Sequence, residues 1–366
     1  MPIEFIGMIG TRPASETHGA AVSIIGGSVD RDFVRDFSRA HEDAGFDRVL
    51  VGYGSTGPDT WSVTSYASSV TERLGFLLAH RPGFVVPTLA ARKAATLDQF
   101  SGGRIALHFI TGGSDAEQRR DGDFLDHDAR YRRTDEYLSV LRQVWTSDQP
   151  FDHAGEFYRF EQAFADVKPL QQPHVPIYFG GASGAALAVG AKHADCYMFW
   201  GEPLAAIRAR IAAVTTAAAQ YGRRPRFSVS LRPILGATEE QAWARAYGIL
   251  ERIKTVRGGH GINGTSARPQ SVGSQRLLAA AAQGEIMDQR LWTPIAAATG
   301  AAGNTTALVG TPEQVAESLL AYYDLGVTTL LIRGFDPLPD AIEYGRDLLP
   351  IVRAEVARRE RQAAAV

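Results

Sequence analysis

Thr96-Leu97-Asp98-Gln99-Phe100-Ser101-Gly102-Gly103-Arg104-Ile105-Ala106-Leu107-His108-Phe109-Ile110-Thr111-Gly112-Gly113 holds one complete structural junction. A helical stretch stops at Ser-Gly-Gly, where glycine can take the left-handed conformation that ends a helix. The apolar run Ile105–Ile110 follows at once and reads as a buried strand, and it ends in a second small-residue loop. The same helix–glycine–strand junction recurs at Ala44-Gly45-Phe46 and Leu325-Gly326-Val327. Repeated junctions of this kind describe βα units, whose apolar strands form a parallel sheet covered by helices.

Working outward from that unit, eight short apolar runs read as strands: Ile3–Ile9, Arg48–Val51, Leu74–Ala79, Ile105–Ile110, Ile177–Phe179, Cys196–Phe199, Phe227–Leu235 and Thr328–Ile332. Amphipathic stretches lie between most of them. In one, Phe33, Val34, Phe37, Ala40 and Ala44 share a helical face, with Asp30 as the N-cap. Another opens with Thr311-Pro312-Glu313-Gln314, a capping box with proline where a missing N–H costs nothing. Eight units favour closure, so the predicted fold is α/β, a (β/α)8 TIM-type barrel forming a single domain over 1–366. Two stretches break the rhythm. Residues 111–176 contain a polar loop, a helix over about 128–147 and a β-ribbon around Phe151–Phe160, while residues 253–310 are rich in Gly, Ala, Ser and Arg. Both follow strands, which places them as insertions at the C-terminal face of the barrel, where active sites lie.

Composition narrows the function. Hydrophobic residues make up 45% of the 366-residue chain, charged residues 21%, and the formal net charge is −2, which gives no footprint for nucleic acid or a membrane surface. The single cysteine, Cys196, rules out an intramolecular disulfide and a Cys-based zinc site. No stretch approaches a membrane span and the first residues lack a signal-peptide pattern, so the expected location is the cytoplasm.

Three motifs invite a chemical reading. Gly52-Tyr53-Gly54-Ser55-Thr56-Gly57 matches the dinucleotide fingerprint, but Pro58 and Asp59 follow the third glycine where the motif needs helix interior, and no acid ends the next strand. Tyr178-Phe179-Gly180-Gly181-Ala182-Ser183 ends a strand and opens a helix. It reads equally as a phosphate cradle and as an ordinary turn. The acidic run Asp121–Asp128 fits no calcium loop, and Asp126 or Asp128 reads better as a helix cap, so no metal is expected. No nucleophile elbow or triad stands out. Trp200, at the end of a strand, is the tryptophan best placed to line a pocket.

Taken together, the pieces resemble the alkanesulfonate monooxygenase branch of the bacterial luciferase-like flavin-dependent monooxygenases. The likeness is carried by Arg81-Pro82-Gly83, Pro87-Thr88-Leu89-Ala90-Ala91-Arg92, Ser101-Gly102-Gly103-Arg104, Thr111-Gly112-Gly113, the run Asp121–His127 with Arg130-Tyr131, Tyr178–Ser183, Trp200-Gly201-Glu202-Pro203, Ser271–Arg276 and Thr306-Ala307-Leu308-Val309-Gly310. The resemblance implies reduced FMN supplied by a separate NAD(P)H-dependent flavin reductase, molecular oxygen as second substrate, and a homo-oligomer, dimer or tetramer. By that analogy Gly181, Ala182 and Ser183 hold the FMN phosphate with Tyr131, and Thr111 lies beside the flavin ring. Residues 253–290 would form a mobile lid that excludes water. The implied reaction cleaves the C–S bond of an organosulfonate, releasing sulfite and an aldehyde.

The departures fall on the substrate side. The family's Cys after the second strand matches Gly57, and its nearby Arg becomes Ser55. Its Arg-x-His pair on the seventh strand reads Ser230-Leu231-Arg232, its lid-side Arg is replaced within Ala298–Gly303, and its late Tyr aligns with Phe335. That pattern implies the same chemistry on another organosulfur compound: a bulkier or more polar sulfonate such as the sulfonated sugar sulfoquinovose, or a sulfone. A buried sulfonate needs cationic donors. Arg232 and Arg333 are the expected clamp, with Arg12, His18, His80 and Trp200 as further candidates around the mouth. Two other functions share the fold, a deazaflavin (F420)-dependent oxidoreductase and a non-catalytic flavin-binding protein.

Overall fold

The computed structural model describes residues 3–13, 19–258 and 269–364. The eight runs all form strands: β1 (Glu4–Ile9), β2 (Arg48–Val51), β3 (Gly75–His80), β4 (Ile105–Phe109), β5 (Ile177–Gly180), β6 (Cys196–Trp200), β7 (Arg226–Leu235) and β8 (Val327–Ile332). They pair in parallel and in chain order, Ile6 with Arg48, Val49 with Phe76, Leu77 with Ala106, Leu107 with Ile177, Tyr178 with Cys196 and Cys196 with Arg226. Phe227 of β7 pairs with Val327, and Thr329 of β8 with Glu4, which closes the ring as a (β/α)8 barrel.

Strand parity divides the core into two layers. Ile6, Leu77, Ala106, Tyr178, Cys196, Met198 and Leu331 fill the barrel interior. Their neighbours in sequence, such as Phe5, Phe76, Leu107 and Phe179, pack outward under the helices. The N-terminal end of the barrel is plugged by Glu4, which accepts from Arg48 at 2.8 Å, Tyr178 at 2.9 Å and Thr329 at 3.0 Å. Burial alone would raise that carboxyl's pKa; Arg48, Arg226 and the Tyr178 hydroxyl outweigh it and hold the group below its ordinary value. With this end sealed, the interior opens only toward the C-terminal ends of the strands.

The local signals act as expected. Asp30 caps the helix Arg31–Asp43, Asp126 caps His127–Thr146, and Thr311 and Gln314 complete their capping box. Gly102 takes φ +68° as it ends the helix Pro87–Ser101. After the Gly52–Gly57 stretch, the helix Thr60–Ser69 starts only beyond Pro58, capped by Asp59, so the chain there lacks the geometry of a dinucleotide fold. The ribbon pairs Phe151–Ala154 with Arg159–Ala163.

The stretch 253–310 is more ordered than its composition suggests. Strand β7 outruns the barrel, and its outer half pairs in parallel with Ala307–Gly310, Arg232 facing Ala307. Leu291–Trp292 and Ile286–Met287 then add on antiparallel. The expected lid straddles this region; its segment 259–268 lies outside the described residues, while Val272–Ala281 forms a helix packed on Pro294–Thr299. No helix among the described residues is long and apolar enough to cross a membrane.

Candidate active site

A cavity of about 750 Å³ opens at the C-terminal end of the barrel, within the size range of cofactor and ligand sites. One side is built by the end of β5. Gly181, Ala182 and Ser183 line the cavity and lead into the helix Gly184–His193. Ser183 caps that helix, accepting from the Ala186 amide at 3.2 Å, while first-turn amides of any helix lack an intrahelical acceptor. Gly181 has no room for a side chain, since an added Cβ would sit 2.4 Å from Cβ of Ala186 and 3.2 Å from the Tyr131 hydroxyl. Tyr131 also lines the cavity, and its hydroxyl hydrogen-bonds Ser183 and Thr111. Burial raises the phenol's pKa above its ordinary value despite those bonds and the charge of Arg130, so it stays a neutral O–H. Close backbone, hydroxyls and a helix N-terminus are the donor set that a phosphate monoester requires. All five residues expected to hold the flavin therefore face one space.

Two cations stand on the other side, at the ends of β7 and β8. Arg232 shares inward parity with Ser228 and Ser230, and Arg333 with Leu331; both arginines line the cavity. Arg232 is 1% exposed. Its guanidinium donates to the carbonyls of Ala21 at 2.5 Å, Gly334 at 2.6 Å, Val22 at 3.3 Å and Arg333 at 3.3 Å, and lies 3.5 Å from the Phe335 ring centre. Arg333 donates to the Val22 carbonyl at 2.9 Å, and its buried Nη1 has no acceptor among the described residues. Among the described residues neither guanidinium forms an ion pair. Burial, reinforced by the Arg333 charge, drives the Arg232 pKa well down, and burial lowers that of Arg333 to about 10. Both keep their charge at neutral pH.

The remaining candidates fall elsewhere. Trp200 lines the cavity and packs against Gly273, where an added Cβ would lie 2.9 Å from the indole. His80 does not line it. Its parity matches Phe76 and Leu78, so the ring turns outward, bonds Tyr137 Oη at 2.7 Å and packs on Trp61 and Phe109. Burial and the Lys93 charge push its pKa down to about 3, so it is a neutral packing group. Arg12 is exposed beside Gly27, away from the cavity wall, because the chain turns outward after β1. His18 lies outside the described residues.

Sequence reasoning missed several wall residues. Arg81 is 4% exposed, lies over the Tyr53 ring at 4.4 Å, reaches Glu117 at 3.3 Å, and leaves Nε and Nη1 without acceptors among the described residues. It was quoted only as part of a motif. His108 lines the cavity with neither ring nitrogen bonded among the described residues, and burial lowers its pKa to about 4. Its inward parity beside Ala106 at a strand end was a readable signal. Gln270, Ser271, Val272 and Gly273, from the expected lid, close part of the rim. Gln270 accepts from the Asp115 amide at 3.0 Å, and Arg276 bonds buried Glu202 at 2.8 Å, which also holds Arg210 at 2.6 Å. No cluster of three or more His, Cys, Asp or Glu among the described residues could hold a metal ion.

The family model of the luciferase-like monooxygenases matches residues 3–329. The chain belongs to that family. Among solved structures, this luciferase-like chain is similar to a riboflavin lyase crystallised with modified FMN and riboflavin, at 18% identity and TM-score 0.79, covering 97% of this chain and 92% of that one. It is similar to the EDTA monooxygenase of Chelativorans sp. BNC1, at 18% identity and TM-score 0.75, covering 97% and 94%. DmoA from Hyphomicrobium sulfonivorans gives 19% identity and TM-score 0.75, covering 97% and 89%. Identities this low establish the shared barrel and leave the substrate open.

Proposed function

We propose that the protein is the oxygenase of a two-component system that uses reduced FMN and O2 to cleave the C–S bond of an organosulfonate. The observation that carries this reading is the wall of a single cavity. It joins a phosphate cradle, Gly181–Ser183 with Tyr131, to the Arg232 and Arg333 guanidiniums, neither of which forms an ion pair among the described residues. An organosulfonate is a permanent anion and matches the second feature. Reduced FMN, when bound, supplies two electrons and activates O2. In balance, a sulfonate R–CH2–SO3⁻, O2 and the two hydrogens of the reduced flavin give R–CHO, sulfite, water and a proton.

The chain's own groups supply position and dryness. Ser183, Tyr131 and the helix amides would hold the phosphate, and Thr111, which follows β4 on the same cavity wall, would contact the flavin. The Arg232–Arg333 end offsets the cost of stripping water from the sulfonate. Gln270–Gly273 close part of the rim, and Trp200 backs them, which shields the reacting atoms from bulk water. Sulfite release from a panel of alkyl, aryl and sugar sulfonates, with chemically reduced FMN and air, tests the reading. Sulfite formed only with both FMNH2 and O2 is expected. Oxygen-independent turnover with a reduced deazaflavin, or sulfinate and aldehyde formed from sulfones with no sulfite formed from any sulfonate, would replace it.

A further inference from the structure

We infer that the two arginines have different tasks: Arg333 contacts the substrate anion, and Arg232 is a positioning residue that holds the wall against which Arg333 works. The inference rests on the sulfonate reading and divides its clamp. Every nitrogen of Arg232 already donates to a backbone carbonyl, and two of those bonds, to Ala21 and Gly334, are short. The carbonyls come from two separate pieces of chain, Ala21-Val22 after β1 and Arg333-Gly334 after β8. The Ala21 amide adds a bond to the Phe335 carbonyl at 2.8 Å. One planar fork thus laces the Ala21-Val22 wall to the end of β8, with the Phe335 ring beneath it. A guanidinium so committed would have to break these bonds to embrace a sulfonate.

Arg333 is in the opposite condition. One nitrogen is tied to the Val22 carbonyl, and Nη1 has no acceptor among the described residues. A buried cationic donor left unmatched is costly unless a ligand supplies the acceptor. The tie to Val22 makes Arg333 depend on Arg232, because Arg232 holds the same carbonyl in place.

Four variants separate the roles, with methanesulfonate as the probe anion, its affinity read by calorimetry, and amide exchange at Ala21 read in parallel. Arg333→Gln should weaken methanesulfonate about tenfold or more, the loss of one charge-assisted bond, with Ala21 exchange as in the wild type. Arg333→Lys should recover much of the affinity, since an ammonium can supply one donor. Arg232→Gln should weaken the anion and also speed Ala21 exchange. Arg232→Lys should rescue neither, because one ammonium cannot span four carbonyls. Wild-type affinity in Arg333→Gln, or full rescue by Arg232→Lys, overturns the division while leaving the sulfonate reading in place. A wild-type protein that binds FMN but no sulfonate overturns both.

Discussion

Arg232 and Arg333 donate to one shared acceptor, the Val22 carbonyl, at 3.3 and 2.9 Å. Two like charges thus sit side by side, bonded to neutral carbonyls, with the Phe335 ring against Arg232 and the Asp340 carboxylate offsetting part of its burial. Such a pair raises the energy of the empty site and lowers it when an anion arrives. Added sulfonate or sulfite should therefore stabilise the protein. By mass action, ligand at a hundredfold excess over its Kd adds about 2.7 kcal/mol. A thermal melt that does not move with methanesulfonate, yet moves with FMN, would argue that the pair serves the fold alone.

At the other end of the cavity, Ser183→Ala should weaken FMN about tenfold or more, since one charge-assisted hydrogen bond is lost. Riboflavin, which lacks the phosphate, should bind the variant as it binds the wild type. Fluorescence titration with both ligands reads the difference. Equal weakening of both would move Ser183 from the phosphate to the ring or to the helix cap alone.

His80 gives a pH test. Its folded pKa, about 3, lies below the ordinary 6.5 because the ring is buried beside Lys93. As pH falls below 6.5 the unfolded chain takes up this proton and the folded chain does not. The neutral ring's contribution is thus complete above 6.5 and is lost toward 3, at about 1.4 kcal/mol per pH unit. His80→Phe should make the acid limb of urea stability shallower by up to that slope between about pH 6 and 4. At neutral pH it should cost about 1–3 kcal/mol through the orphaned Tyr137 hydroxyl, and flavin affinity should not change. A variant that folds normally but loses flavin would return His80 to the site.

The barrel was legible because closure depends on features that recur: apolar strands, helix caps and glycine stops. The Gly180–Ser183 turn was legible as small residues between a strand and a helix, but that pattern alone fits an ordinary turn as well as a phosphate cradle. His80 and His108 show where reading fails. They are both near strand ends, and only register separates the inward ring from the outward one. One residue of offset exchanges the faces, so His80, even with Phe76, packs under helices while His108, even with Ala106, reaches the cavity. Arg232, even with Ser228 and Ser230, lines the cavity by the same parity. Its four carbonyl partners were not foreseeable, because they come from chain ends brought together only when β8 closes on β1. The pairing of β7 with Ala307–Gly310 was hidden by the Gly- and Ala-rich sequence between them.

Arg276 tests whether the 272–281 helix seals the cavity. Glu202, 2% exposed, bridges Arg210, beside the Gly181–Ser183 turn, to Arg276 on that helix. Arg210 also holds the Gly181 carbonyl at 2.8 Å, so the helix is tied through two arginines to the Gly181–Ser183 end of the cavity. Arg276→Met cuts the outer tie and keeps the Glu202–Arg210 pair, which leaves the cradle intact. The methionine chain still covers the apolar surface the arginine stem covered. Flavin affinity should therefore hold, while water gains access during turnover. The expected signature is uncoupling: more hydrogen peroxide and less sulfite per reduced FMN consumed. Measuring both products in one reaction decides it. If Arg276→Met keeps the wild-type ratio, the bridge organises the fold without sealing the site, and closure must come from the Gln270–Asp115 contact at the opposite rim.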